Sequence, residues 1–450
     1  MGDREKLAEQ LLMRQLSRRT VLKAGAAMPL GAAMTSLLTG RTLAQEPAPD
    51  FSGVNLRLWS GATTGPPAER AAAEWAELTG GSVQVEVIPF AERSIKFAGL
   101  IAGQDSSIDV LYIYSDFAGR FGDRLYENLS DPQWGIDTSP FVPAIIPVLS
   151  AAGGLRGLPL HSEMLIYIYN KPMLEAAGLD PENPPDTWEG LYAAAEGLTE
   201  GDRFPCQLAW QADYGGAGFY LPFLNSLPDG QLLSEDRTQV LFDGEDGLLA
   251  FQTIEAGMRG GFFDPNLAPD QTDYAIGQNF NDGKTASQIA FAELWGYAVG
   301  GAPEDFPTTL LPDDVGATIL PGILSGTSGS INGFEGFGLN KFGTQKAPAL
   351  HFLQYLSGFD YQKSMNLAKT LPSSRVDVLG DPEVQAEYPI GPVLAEQGQW
   401  NLSRYPSPFD WTPPVSDALG RLYRGEITAE EAHEQAVAGV NDIVITYLSS

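Results

Sequence analysis

Gly157-Leu158-Pro159-Leu160-His161-Ser162-Glu163 opens the stretch that decides the fold, and an apolar run follows it to Tyr167-Ile168-Tyr169-Asn170-Lys171. Behind it come Leu174-Glu175-Ala176-Ala177-Gly178-Leu179, the turn-rich Pro184-Pro185-Asp186, and Thr187-Trp188-Glu189-Gly190-Leu191. Asp186 or Thr187 can cap the next helix, because a short side-chain oxygen there accepts from an otherwise unpaired N–H of the first turn. An Ala-rich register carries that helix to about residue 198. The order is a crossover strand, a short helix and a capped helix.

Working back towards the N-terminus, short β-rich runs alternate with helical ones. Val54-Asn55-Leu56-Arg57-Leu58-Trp59 and Val83-Gln84-Val85-Glu86-Val87-Ile88 read as strands, 67–78 as an amphipathic helix, and 108–114 as a further apolar strand. This rhythm predicts a mostly parallel sheet with helices on both faces and ligands outside the carboxyl ends of the strands. Functional residues should therefore follow the strands, at Trp59-Ser60-Gly61 and Tyr114-Ser115-Asp116.

The 450 residues carry 27 Lys+Arg and 57 Asp+Glu, a formal net charge of -30. A nucleic-acid partner is excluded, since phosphate binding needs clustered basic charge. Apolar residues at 43% supply sizeable cores, and the length suits two or three domains. Near the N-terminus, Ser17-Arg18-Arg19-Thr20-Val21-Leu22-Lys23 precedes a weakly apolar stretch, 24–38, too short to span a bilayer. Thr42-Leu43-Ala44 then offers small residues for cleavage. The paired arginines resemble a twin-arginine (Tat) export signal over 1–44. Cleavage after Ala44 would remove seven basic and three acidic residues, leaving 20 and 54, a net of -34. The single cysteine, Cys206, can form no intramolecular disulfide, and none lies beside the cleavage site to carry a lipid anchor. A soluble periplasmic protein without a lipid anchor is expected.

The run 157–198 resembles the signature of bacterial extracellular solute-binding proteins of the sugar-binding, maltose-binding-like family, the receptors of ABC importers. Phe280-Asn281-Asp282-Gly283-Lys284-Thr285-Ala286, Trp295, Gly316-Ala317-Thr318-Ile319-Leu320-Pro321-Gly322 and Leu371-Pro372-Ser373-Ser374-Arg375 continue that resemblance in the family's order. It implies an α/β, two-lobed periplasmic-binding-protein fold with a ligand cleft between lobes joined by crossover strands. The expected division is a signal at 1–44, a linker at 45–52, lobe 1 at 53–160 and 319–370, and lobe 2 at 161–318 and 371–450. The crossings fall near 159–162, 319–321 and 367–372. The implied partners are a small-molecule carbohydrate and an inner-membrane ABC permease, with a monomer expected and no cofactor.

Sugar sites pair aromatic faces with planar polar groups. Asp116 and Glu163 stand where the resemblance places hydrogen-bonding acids, although Glu163 also reads as a solvated hinge carboxylate. Trp295 matches the family's tryptophan after the small-residue motif. Trp59, Tyr114, Trp210 and Tyr214 are ring platforms or core residues, both readings standing. Phe334 and Glu335 lie in the glycine-rich run 330–338, and Arg375 reads either as a ligand contact or as half of an ion pair. Other chemistry finds less support. Gly283-Lys284-Thr285 lacks the glycine a phosphate loop needs at position 278, occupied by Gln278. His161-Ser162-Glu163 echoes a zinc-deaminase fragment, but Cys206 has no partner and His351 and His433 are distant. No Gly-x-Ser-x-Gly elbow occurs. A glycosidase carboxylate pair is the remaining enzymatic alternative.

Overall fold

The computed structural model describes residues 49–449 apart from 202, 209, 212–214, 265–269, 272, 302–305 and 401–406. The export signal and most of the linker lie outside the described residues. The upstream rhythm is realised as β1 (Asn55–Ser60), α1 (Gly65–Thr79), β2 (Ser82–Val87), α2 (Phe90–Gly103), β3 (Val110–Tyr114) and α3 (Ser115–Leu125). Two prolines in its first positions start α1, where their missing N–H costs nothing. Its Ala68, Ala71, Ala72 and Trp75 form the buried stripe.

The deciding stretch supplies β4 (Leu158–His161) and β5 (Leu165–Asn170), every residue of both buried. Thr187 caps the next helix by accepting from the Gly190 N–H at 3.2 Å. Asp186 instead accepts from the Ser325 hydroxyl and the Gly326 N–H at 2.8 and 2.9 Å. The Ala-rich register forms two short helices, Trp188–Ala193 and Ala195–Leu198. Then come β6 (Phe204–Gln207), α4 (Gly215–Asn225), α5 (Glu245–Arg259), α6 (Asp273–Asn281), β7 (Thr285–Phe291), α7 (Ala292–Gly296) and β8 (Val315–Thr318). The chain continues with β9 (Glu335–Leu339), α8 (Lys346–Leu356), α9 (Phe359–Leu367), α10 (Thr412–Tyr423) and α11 (Ala429–Leu448).

Two sheets organise these elements. One has the order β2-β1-β3-β9-β4 and the other β8-β5-β7-β6. The chain leaves the first sheet after β4 and enters the second at β5, so residues 162–164 cross between lobes; residues 319–334 cross back. These connections run side by side, with Met164 bridged to Asn332 and the Gly333 N–H donating to the Glu163 carbonyl at 2.7 Å. The expectation of mostly parallel sheets holds only for β1, β2 and β3. β9 arrives from the other lobe and runs antiparallel to both β3 and β4. In the second sheet only β7 and β6 pair in parallel. Local alternation of strand and helix carries no information about a strand inserted after a long excursion.

α8 packs on β9 and α1, whereas α10 and α11 pack on α4 and α5 of the second lobe. Two hydrophobic cores result, and the first also takes in Trp295 and Tyr297 from the second lobe, so the lobes are in contact. A hydrogen bond of 3.1 Å joins Thr63, just after β1, to Tyr274 of α6.

Candidate functional site

The crossing is built around buried polar side chains. β3 alternates Tyr112 and Tyr114 on one face, their rings 5.7 Å apart. The Tyr112 hydroxyl donates to the Glu335 carboxylate, and the Arg93 guanidinium of α2 lies over the Tyr112 ring at 4.5 Å. Arg93 is itself anchored by its Nε, which donates to the Ile88 carbonyl at 2.9 Å. Glu335 Oε2 lies 3.4 Å from His161 Nε2, and the opposite ring nitrogen, Nδ1, lies 4.0 Å from Glu163 Oε2. His161 has no exposed side-chain surface, while the Glu335 side chain retains 21%. Burial pushes the Glu335 carboxyl up, but His161, Tyr112 and Arg93 together outweigh it and hold the group below the usual carboxylate range.

A second group of side chains is contributed by α7 and by Tyr388. Trp295 of α7 is buried edge-to-face against Tyr388, centroids 5.3 Å apart. The Tyr388 hydroxyl donates to the Ala292 carbonyl at 3.4 Å. Burial raises the Tyr388 phenol well above its ordinary value, and the charges of Glu163 and Glu293 add to the rise. Two carboxylates, one from the crossing and one from α7, therefore act on one phenol.

The structure thus brings Glu163 and Glu335 together around His161, while Trp295 packs on Tyr388. Phe334 is buried next to Glu335, and Tyr114, opposite Glu335 in the β3–β9 register, packs on Phe117 at 4.6 Å. Asp116 is half-buried in the first turn of α3. Two candidates are engaged elsewhere. Trp59 donates from Nε1 to Glu86 at 3.0 Å and stacks on Phe97, with Lys96 over its ring. Arg375 makes a two-pronged pair with Asp377 at 2.9 and 2.7 Å, donates to the Ser357 carbonyl at 3.1 Å, and lies over Phe141. Of the remaining two, Trp210 contributes backbone to a short strand, Trp210–Gln211, paired with Asp270–Gln271. Its side chain and all of Tyr214 lie outside the described residues.

Sequence reasoning missed Arg93, Tyr112, Glu293 and Tyr388, and weighed His161 only as a metal fragment. Tyr112 was legible through its alternation with Tyr114. The others had no local signal, since their partners come from distant segments. Among the described residues no group of three or more His, Cys, Asp or Glu side chains is placed to hold a metal ion. Nor is any helix among them long and apolar enough to cross a membrane.

The sequence profile of the family described as bacterial extracellular solute-binding protein matches residues 60–363. The sn-glycerol-3-phosphate-binding periplasmic protein UgpB of Salmonella typhimurium is 34% identical over 138 residues, 29% of each chain, so this protein matches less than a third of that relative's length. A probable amino-acid ABC transporter periplasmic-binding protein, y4oP of Sinorhizobium fredii, is 22% identical over 403 residues, covering 87% of this chain and 89% of its own. Maltose-bound MalE3 of T. maritima superposes with a TM-score of 0.76 at 19% identity, covering 86% of this chain and 99% of its own. The solute-binding protein of Agrobacterium radiobacter K84 in complex with ribitol gives 0.74 at 20% identity, covering 87% and 99%. At such identities the two structures speak for the two-lobed fold, while the profile spans more than half of the sequence: the chain belongs to the bacterial extracellular solute-binding proteins.

Proposed function

We propose that this protein is the periplasmic substrate-binding component of an ABC importer, holding a neutral mono- or oligosaccharide or a related polyol between its lobes and delivering it to an inner-membrane permease. The observation that carries the reading is the set of side chains around the crossing: Glu163, Glu293 and Glu335 against Arg93, the one guanidinium acting there among the described residues, with Trp295 and Tyr388 alongside. Carboxylates accept from hydroxyls and repel anions, and aromatic surface covers the C–H faces of a sugar ring. Solved relatives of this fold hold maltose and ribitol. Closure of the lobes around the ligand supplies contacts to both sides at once.

The likeness to a glycerol-phosphate receptor favours a second reading, an anionic phosphoester ligand. Phosphate recognition calls for converging cations, and the crossing presents an excess of acids. A thermal-shift screen of maltose, D-tagatose, ribitol and D-mannitol against sn-glycerol 3-phosphate separates the two. A sugar or polyol at about 100 times its dissociation constant should add about 2.7 kcal/mol of stability. Stabilisation by sn-glycerol 3-phosphate alone would overturn the neutral-ligand reading, and release of monosaccharide from incubated maltose would replace binding by hydrolysis.

A further inference from the structure

We propose that His161 is a positioning residue for ligand binding, a rigidly mounted imidazole that holds the Glu163 carboxylate in its place at the cleft by bracing it against Glu335. The inference rests on the interlobe cleft being the ligand site, and it assigns a role to a side chain that would not itself touch ligand.

The mounting comes first. His161 is the last residue of β4, paired with Glu335 of β9 on one side and bridged to Ser373 on the other. The next residue is tied twice to the same neighbour, the Ser162 N–H donating to the Pro372 carbonyl at 3.0 Å and its hydroxyl to the Ser373 carbonyl at 2.8 Å. Backbone on both sides leaves the imidazole little freedom to turn. The ring is wholly buried, so its nitrogens have no access to water.

Each nitrogen faces a different carboxylate. Nε2 meets Glu335, which is fixed from behind by the Tyr112 hydroxyl, and that phenol is covered by the Arg93 guanidinium. Nδ1 makes no hydrogen bond, and Glu163 Oε2 is 4.0 Å away. A buried ring nitrogen left at this distance is close enough to steer a carboxylate and loses little by releasing it. Such an arrangement suits a group that shifts slightly when a ligand hydroxyl arrives. Arg93, Tyr112, Glu335 and His161 thus form a polar chain running from α2 to the crossing, ending at Glu163.

Two substitutions separate the two nitrogens, because bond counting places the Asn side-chain amide where Nδ1 stands and the Gln amide where Nε2 stands. His161→Asn puts an N–H donor at the Nδ1 position, facing Glu163, whereas His161→Gln puts one at the Nε2 position, facing Glu335. Calorimetry with maltose and with ribitol should find the Asn variant within about threefold of wild type and the Gln variant weaker by about tenfold or more, the scale of the one charge-assisted hydrogen bond to a ligand hydroxyl that a displaced Glu163 would no longer make. Ligand-free crystal structures should show Glu163 in place in the Asn variant and rotated away in the Gln variant. Equal affinities for both variants, or an unmoved Glu163 in the Gln variant, would overturn the proposal. If the Gln variant does not fold, the Asn variant decides alone: retained affinity supports the positioning role and a tenfold loss refutes it. If wild type binds neither probe, that counts against the proposed ligand class, and the crystal structures still decide the role of His161.

Discussion

Glu335 accepts from the Tyr112 hydroxyl and faces His161, and both partners favour its ionised form over the protonated one. Its folded carboxyl lies below the value it takes in the unfolded chain, so ionisation contributes stability that is complete above the unfolded pKa and is lost as pH falls through the folded one. Glu335→Gln removes this contribution. The variant should be less stable than wild type at neutral pH, and the difference should shrink as pH falls below about 4.5, the ordinary range of glutamate. Urea unfolding of both proteins from pH 6 downwards measures it, and a constant gap across that range would contradict the assignment. Cys206 behaves in the opposite sense: full burial pushes its thiol up to about 12, which fits a core residue and not a nucleophile.

At the scale of elements, α7 and the end of α9 meet almost backbone to backbone. A Cβ built on Gly296 would stand 2.1 Å from the Lys369 carbonyl oxygen, and one on Gly301 would stand 2.6 Å from the Lys369 Cβ. Lys369 has φ of 56°, a left-handed conformation uncommon outside glycine. α7 follows β7 of the second sheet, whereas α9 packs beside α8 of the first lobe, so this contact lies between lobes. Gly296→Ala can relieve its clash by parting them, at the seam where Trp295 and Tyr297 join the first core. The expected result is a larger radius of gyration by X-ray scattering and weaker ligand binding, with the loosening confined to the seam of the first core and the second core intact. An unchanged radius together with a loss of about 1–3 kcal/mol would instead make this an ordinary overpacked core contact.

The whole molecule combines an acidic body with a basic N-terminal segment. The pair Arg18 and Arg19 ahead of a weakly apolar stretch resembles a twin-arginine signal, and we propose export of the folded protein by that route. Replacing both with Lys preserves charge and removes the guanidinium pair, so precursor should accumulate in the cytoplasm. Undiminished periplasmic yield from the double variant, measured by fractionation, would remove that route.

The ordered set of motifs along the chain carried the resemblance to the family, while local patterning determined β1 to β3, the helix over 67–78 and a cap at Asp186 or Thr187. Each of these elements depends on residues a few positions apart, where side-chain periodicity and capping chemistry act directly on the chain. Even the Arg375 ion pair was legible in this sense, since Asp377 is two residues away. Only the tertiary structure decided that β9 enters the first sheet antiparallel, that Trp59 is held by Glu86, and that His161 meets Glu335 from 174 positions away. Strand order follows from the burial of whole faces and the route of long connections, and these are summed over the entire chain. No short window of sequence contains that sum, so the polar chain from Arg93 to Glu163 became visible only when both crossings lay side by side.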